Sequence, residues 1–362
     1  MQNRALSFFE RHNLEEETLV QFGIFDHCER SGRPPAQTYQ ERFALAQRAE
    51  EAGFYAYHLA EHHGTSLSLV PSPNLFLAAL AQKTSTLRLG ALVYLLPLYD
   101  PYRLAQEVCM LDHLSDGRVE LGIGRGANPI ELGLFGYDPA TAKQRFEDLY
   151  PLLMQGLVDG QMTRQGPKGT IEAPIDSRPL QKPYPPIWYP SAGGGAQLVW
   201  AAQQGFHTIL NGPLENCAEA SKLFRDNFQP GPHGLPPKIG LTRYVYVADT
   251  DGEALQRGEA ALRYHRANLL KLANQAGFTI ASPVIPPDNI ADAVREGWAA
   301  AGSPATVREQ IAAMAEQVDI NYFVFAPMMA DLPLEWGLRT IDIFRDEIIP
   351  AFAETELVRA TA

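Results

Sequence analysis

Near-continuous apolar runs alternate with longer stretches of helical periodicity along most of this 362-residue chain. The runs lie at 20–25, 55–60, 87–95, 118–123, 186–190, 208–210, 239–247 and 320–325. They are apolar at consecutive rather than alternate positions, the pattern of strands buried on both faces of a parallel sheet. Helical stretches fall at 38–52, 74–83, 102–114, 141–158, 195–204, 215–227, 252–274, 305–317 and 334–349. In the first, Phe43, Ala46 and Ala49 share one stripe and Gly53 follows as a stop. In the second, Asn74 stands where an N-cap is wanted.

Eight strands, each followed by helix, predict an α/β fold, a closed (β/α)8 TIM barrel, with an open doubly wound sheet as the alternative. One domain over 1–362 is expected, with 1–19 as an N-terminal extension and insertions at 160–185 and 275–301. Loops at the C-terminal ends of barrel strands build the active site, so insertion loops are expected on that face. The stretch 275–301 is then a lid over the site or an extra packing element.

Composition narrows the function. A hydrophobic fraction of 46% argues against disorder. With 30 Lys+Arg against 42 Asp+Glu, the net charge of −12 argues against nucleic-acid or anionic-membrane partners. Cys28, Cys109 and Cys217 are too few and too scattered for a disulfide framework or a cysteine zinc site. The first twenty residues hold no secretory apolar stretch, and the longest apolar run, 89–99, is too short for a bilayer and contains Pro97. A cytoplasmic protein is expected.

Three motifs follow strands. In AEHHG (60–64), Glu61, His62 and His63 sit at the end of the second strand. Adjacent histidines point different ways and chelate one metal poorly, but one facing a pocket is an acid, a base or a donor near neutral pH. In GIGRG (122–126), Arg125 presents a charged fork to a phosphate or carboxylate, or the stretch is a tight turn with a surface arginine. In SAGGG (191–195), Ser191 and the amides of Gly193, Gly194 and Gly195 open a helix and suit a phosphate, a flexible turn being the alternative. No nucleophile elbow or HExxH motif is present, and no metal is expected. Chemistry lacking both a nucleophile and a metal is commonly carried by an organic cofactor, and one phosphate site points to a mononucleotide. Phe25, Tyr57, Tyr94 and Trp188 line either an apolar pocket wall or the barrel core; Asn128 and Glu131 are read as solvating their loop.

In order along the chain, FGIF, AEEAGFYAYHLAEHHG, LRLGALVYLLPLYDPYRLAQEVCMLDHLSDGRVELGIGRG, ELGLFGYD and AAQQGF resemble the bacterial-luciferase-like, flavin-dependent monooxygenases. The resemblance covers most of 20–350 and implies a barrel that binds reduced FMN as cosubstrate. A separate NAD(P)H:flavin reductase supplies it, and O2 is used through a flavin C4a-peroxide to oxidise a small organic substrate. It implies that His62 is the pocket histidine, a base or a peroxide-stabilising group, with His63 in the same motif. It also implies that Arg125 and Gly193 to Gly195 meet the phosphate, and that Leu92 and Val93 form a cis peptide supporting the flavin ring. Gly124 stands where luciferase has a reactive cysteine, which argues against light emission. The same family includes deazaflavin-dependent dehydrogenases, and a non-catalytic flavin-binding protein is a further alternative. A homodimer is expected by resemblance.

Overall fold

The computed structural model describes residues 20–126, 128–275, 277 and 285–352. The expected extension 1–19, and within 275–301 residues 276 and 278–284, lie outside the described residues.

Eight parallel strands form the barrel. They are β1 (Gln21–Asp26), β2 (Ala56–Leu59), β3 (Arg88–Ala91), β4 (Leu121–Gly124), β5 (Ile187–Ser191), β6 (His207–Leu210), β7 (Ile239–Val247) and β8 (Tyr322–Phe325). Neighbours in sequence pair in space, and β8 returns to β1 with Gln21 opposite Tyr322. The last seam, β3 to β4, is closed by the parallel bridge Leu89–Val119, where the Leu89 amide donates to Arg118 and the Glu120 amide to Leu89. The expected closed barrel is therefore present.

Helices α1 (Pro35–Glu51), α2 (Pro73–Ala81), α3 (Pro101–Leu114), α4 (Ala142–Asp159), α5 (Ala196–Gln203) and α6 (Leu214–Asn227) follow the first six strands. The β7–β8 connection carries α7 (Asp251–Gln275) and α8 (Pro304–Val318), and α9 (Leu334–Ile343) closes the described chain. Several starts carry Pro in the first turn, which loses no hydrogen bond there. Asp100 caps α3 by accepting from the Tyr102 and Arg103 amides at 3.0 and 3.1 Å. Asn74 does not cap α2. That helix begins at Pro73, and the Asn74 amide instead donates to Glu107 at 2.7 Å while its carbonyl accepts from Tyr94.

The outer core packs the outward strand residues Ile24, Tyr57, Leu59, Leu241, Phe323 and Phe325 against the helices. The barrel interior is filled at Leu92, Trp188, Ile209, Tyr322 and Val324. Gly23 is required there, because a Cβ on it would fall 1.8 Å from the Tyr322 hydroxyl oxygen. Below this layer Glu120 is fully buried. It pairs with Arg88, accepts from Trp188 Nε1, and accepts from the Tyr55 hydroxyl at 2.6 Å. Despite burial, the Arg88 charge and these donors hold the Glu120 carboxyl down to about 2.

Three elements in the two insertions escaped the sequence reading. Residues 160–185 contain an antiparallel hairpin, Gln161–Gly166 with Gly169–Pro174, whose Arg164 pairs with Asp100 at the start of α3. Residues 275–301 contribute the short helix Ile290–Arg295 and part of a strand, Ala299–Gly302, that extends the upper half of β7.

Candidate functional site

The loop after β2 carries two imidazole–carboxylate pairs. His62 Nδ1 lies 2.9 Å from Glu131 Oε1, which also accepts the His63 amide at 3.1 Å. His63 Nε2 lies 2.7 Å from Glu61 Oε1, while Glu61 Oε2 accepts from the Leu95 amide and the Tyr99 hydroxyl at 3.1 and 2.9 Å. A carboxylate at His62 Nδ1 keeps a proton there and leaves Nε2 as the free nitrogen. Burial pushes the His62 pKa down, but the charge and hydrogen bond of Glu131, with Glu61 behind, raise it overall. His63 is committed to Glu61 and packs edge-on to Phe135.

His27, just past β1, stacks on His62 with ring centroids 5.7 Å apart and an interplanar angle of 10°. Its turn is set from below. Asp26 pairs with Arg42 of α1 at 2.9 Å and accepts the Cys28 amide at 2.8 Å, and Cys28 adopts a left-handed φ of 50°. Burial first, then His265 and His62, hold the His27 pKa well below the usual histidine value. His27 therefore stays neutral beside the more basic His62.

The run expected as one strand over 87–95 divides at a cis peptide between Leu92 and Val93, after which Tyr94–Leu95 pairs again with β4. Two glycines of GIGRG make room for this path. A Cβ on Gly122 would lie 2.2 Å from the Ala91 carbonyl oxygen, and one on Gly124 would lie 2.5 Å from Val93 Cγ2. Their absent side chains leave room for the neighbouring strand.

Arg125 and the SAGGG turn leave the C-terminal ends of adjacent strands, β4 and β5. Arg125 is exposed and near Tyr189 of β5, whose hydroxyl pKa burial pushes up and the Arg125 charge pulls down. Helix α5 has no side chain capping its first turn, and Gly195 at its N-cap has φ 123°. Nothing lies within 4 Å of where a Cβ would stand on Gly193 or Gly195. Ser191 bonds within the turn to Gly193. Uncapped amides, open space and an adjacent guanidinium fit a phosphate. A cavity of about 340 Å³ continues from Arg125 past Asn128 and Leu132 to Lys143.

Other expectations resolve differently. Tyr57, Tyr94 and Trp188 are fully buried, bonded to Asp26, Asn74 and Glu120, so they are core; Phe25 alone is partly exposed and packs edge-on to His27. Glu131 does not solvate its loop, being 1% exposed and the partner of both histidines. Asn128 caps the short helix Pro129–Leu134 by accepting from the Ile130 amide at 3.0 Å. Glu131 stands three residues after that cap, the capping-box spacing, yet reaches to the β2 loop instead. Sequence reasoning missed Glu131 and His27. The second was findable as a histidine directly after a barrel strand. Among the described residues no three His, Cys, Asp or Glu side chains group as metal ligands, and no helix is long and apolar enough to cross a membrane.

A closed parallel barrel with two imidazole–carboxylate pairs and an uncapped glycine turn at the C-terminal ends of its strands defines a (β/α)8-barrel protein. Residues 20–319 match the luciferase-like monooxygenase family, and the chain belongs to it. It is 36% identical over 331 residues to the uncharacterized protein y4wF of Sinorhizobium fredii, covering 91% of this chain and 96% of that one. It is 33% identical over 248 residues to the oxygenase component of flavin-dependent trigonelline monooxygenase of Acinetobacter baylyi, 65% of this chain and 67% of that one. Monooxygenase RslO1 of Streptomyces bottropensis superposes with a TM-score of 0.79 at 25% identity, covering 92% and 99% of the two chains. Two more distant structures share the fold. One is the oxygenating constituent of Pseudomonas putida 3,6-diketocamphane monooxygenase, in complex with FMN, with a TM-score of 0.72 at 21% identity over 92% and 98%. The other is an F420-dependent secondary alcohol dehydrogenase, with a TM-score of 0.68 at 20% identity over 92% and 99%.

Proposed function

We propose that this protein is the oxygenase component of a two-component flavin-dependent monooxygenase. It takes reduced FMN from a separate NAD(P)H:flavin reductase and uses O2 to oxidise a small organic substrate. The observation that carries the reading is the pairing of Arg125 with the uncapped Gly193–Gly195 turn at neighbouring strand ends, on the rim that also holds His62. The likeness to the trigonelline enzyme's oxygenase component supports a partner reductase.

FMN, when bound, supplies the oxygen-activating redox chemistry. Arg125 and the amides of Gly193 to Gly195 hold its phosphate, with Ser191 shaping the turn. Leu92 and Val93 support the ring. His62 takes up or returns a proton through Nε2, and Glu131 steadies the imidazolium. His63 and Glu61 fix the loop that presents His62. The protein is read as a cytoplasmic homodimer; Leu75 of α2 and Met110 and Leu114 of α3 are exposed apolar side chains.

Titration of the purified protein with FMN and reduced FMN tests the reading, followed by oxygen uptake with NADH and a reductase. Tight binding of the reduced form and substrate-dependent oxygen uptake are expected, and His62→Ala lowers turnover about 10²–10⁴-fold. Absence of affinity for either form of FMN overturns it. Tight deazaflavin binding with no oxygen uptake marks instead a hydride-transferring dehydrogenase, the activity named for one of the structures sharing this fold. Flavin binding without turnover in His62-intact protein marks a carrier.

A further inference from the structure

A third imidazole–carboxylate pair lies beside the first two and has no part in the roles above. Glu29 is buried just past β1. It accepts from Asn268 Nδ2 at 2.9 Å and from the Ala330 amide at 3.0 Å. Its Oε2 lies 3.2 Å from Nδ1 of His265, which is 1% exposed on α7. Nε2 of the same ring lies 3.3 Å from the Tyr244 hydroxyl. Carboxylate, imidazole and phenol thus form one chain across three elements.

The phenol stands at the mouth. Arg243 opposite Phe325 is the last pairing of β7 with β8, and Tyr244 follows it. Arg243 and Val245 on either side are buried outward under the helices, whereas Tyr244 is only partly buried. The His265 ring also meets His27 edge-on at 5.2 Å, and His27 stacks on His62. The chain therefore abuts the His62 pair. His265 Nδ1 makes no hydrogen bond, but the Glu29 carboxylate 3.2 Å away favours a proton on that nitrogen by its charge and leaves Nε2 to accept from Tyr244. Strand alternation turns Tyr244 to the inner side of β7, between the outward Arg243 and Val245.

We propose that Glu29, His265 and Tyr244 form a relay that removes a proton from the substrate, which must therefore carry an ionisable O–H or N–H. This rests on the oxidoreductase reading above. The substrate's X–H bond breaks, its proton joins Tyr244 Oη, and the electron pair stays on the substrate. The Tyr244 hydroxyl proton passes in the same step to His265 Nε2, and Glu29 balances the imidazolium. Tyr244 is never left as phenolate, as burial among these groups requires, since it pushes the Tyr244 pKa up. The other titratable and charged groups around the chain are His27, then His62 with Glu131 and Glu61, and near Tyr244 Arg243 and Arg266. Tyr244 is the catalytic residue here; His265 and Glu29 are positioning residues.

Nitrogen NMR of histidine-labelled, flavin-free protein tests the relay, with His265 assigned through His265→Gln. The expected neutral form carries its proton on Nδ1. Glu29→Gln moves the Nδ1 resonance of His265, and Glu29→Asp restores most of the native position. Tyr244→Phe, which removes one oxygen, moves the Nε2 resonance alone. A proton on Nε2 in the neutral form, or an unmoved Nδ1 resonance in a folded Glu29→Gln protein, overturns the proposal. The tautomer of the unaltered protein decides the matter even where the Glu29 variants fail to fold. With FMN, NADH and a reductase, a panel of small O–H and N–H acids is then compared with their O- and N-methyl derivatives. Turnover of the acids alone is expected; equal turnover of the methylated set, or none of the acids, overturns the substrate class. Failure to bind FMN would sink the functional reading and leave the NMR result standing.

Discussion

Glu131 Oε1 holds His62 Nδ1 at 2.9 Å although the two lie 69 residues apart, one after β4 and the other after β2. Strand β3 separates the two strands in the barrel, so the contact spans two strand intervals across the rim. It joins a buried carboxylate to a half-exposed imidazole, an arrangement that raises basicity without closing off the free nitrogen.

Removing that carboxylate's charge tests it. Glu131→Gln should lower the His62 midpoint by about one to three pH units, since an opposite charge at this distance favours the protonated ring. Histidine NMR of the flavin-free protein reads the shift, and an unmoved midpoint would show that Glu131 merely packs.

Arg125→Ala should weaken FMN binding about tenfold to a hundredfold, the loss of a charge-assisted hydrogen bond. Riboflavin, lacking the phosphate, should bind the variant as it binds the native protein. Fluorescence titration with both ligands separates the two cases; equal losses for both would place Arg125 away from the phosphate.

Gly122→Ala should destabilise by about 1–3 kcal/mol or more, because the new methyl meets backbone at Ala91. Gly124→Ala clashes with the Val93 side chain and otherwise makes an ordinary contact with Pro190, so Val93→Ala should recover much of its loss in a double-mutant cycle. Denaturant melts supply all the values. Additive losses at 93 and 124 would contradict the contact.

Acid should weaken the fold through the barrel interior. Burial holds His58 down to about 4 and His207 down to about 3, both against an ordinary value of 6.5. Below about pH 6.5 the unfolded chain takes up protons that the folded chain refuses, so stability falls as pH drops, until these lower values are reached. His58→Gln should shrink the stability difference between pH 7 and pH 5 by about 2 kcal/mol, measured by urea unfolding at each pH. Glu120, held near 2, adds to the loss only below its ordinary value of 4.5.

The barrel was legible because strands covered on both faces must be apolar at every position, and eight such runs are hard to fold otherwise. Ala299–Gly302 was not, since three alanines and a glycine carry no strand signature; the neighbouring upper half of β7 recruits them. The hairpin at 161–174 was hidden because it is largely exposed and has little apolar pattern to show. AEHHG, GIGRG and SAGGG could be placed on one rim from chain order alone. Their partners could not. Glu131 looked like a loop solubiliser, and His265 lies inside a long helix whose facing side depends on packing that no local pattern encodes.

The lower barrel interior is plugged by Trp188, Tyr322 and the Arg88–Glu120 pair, so among the described residues the strand-end rim is the single doorway. In the oxygenase proposed above, reactant, oxygen and product share that one threshold, and traffic through the barrel is one-ended.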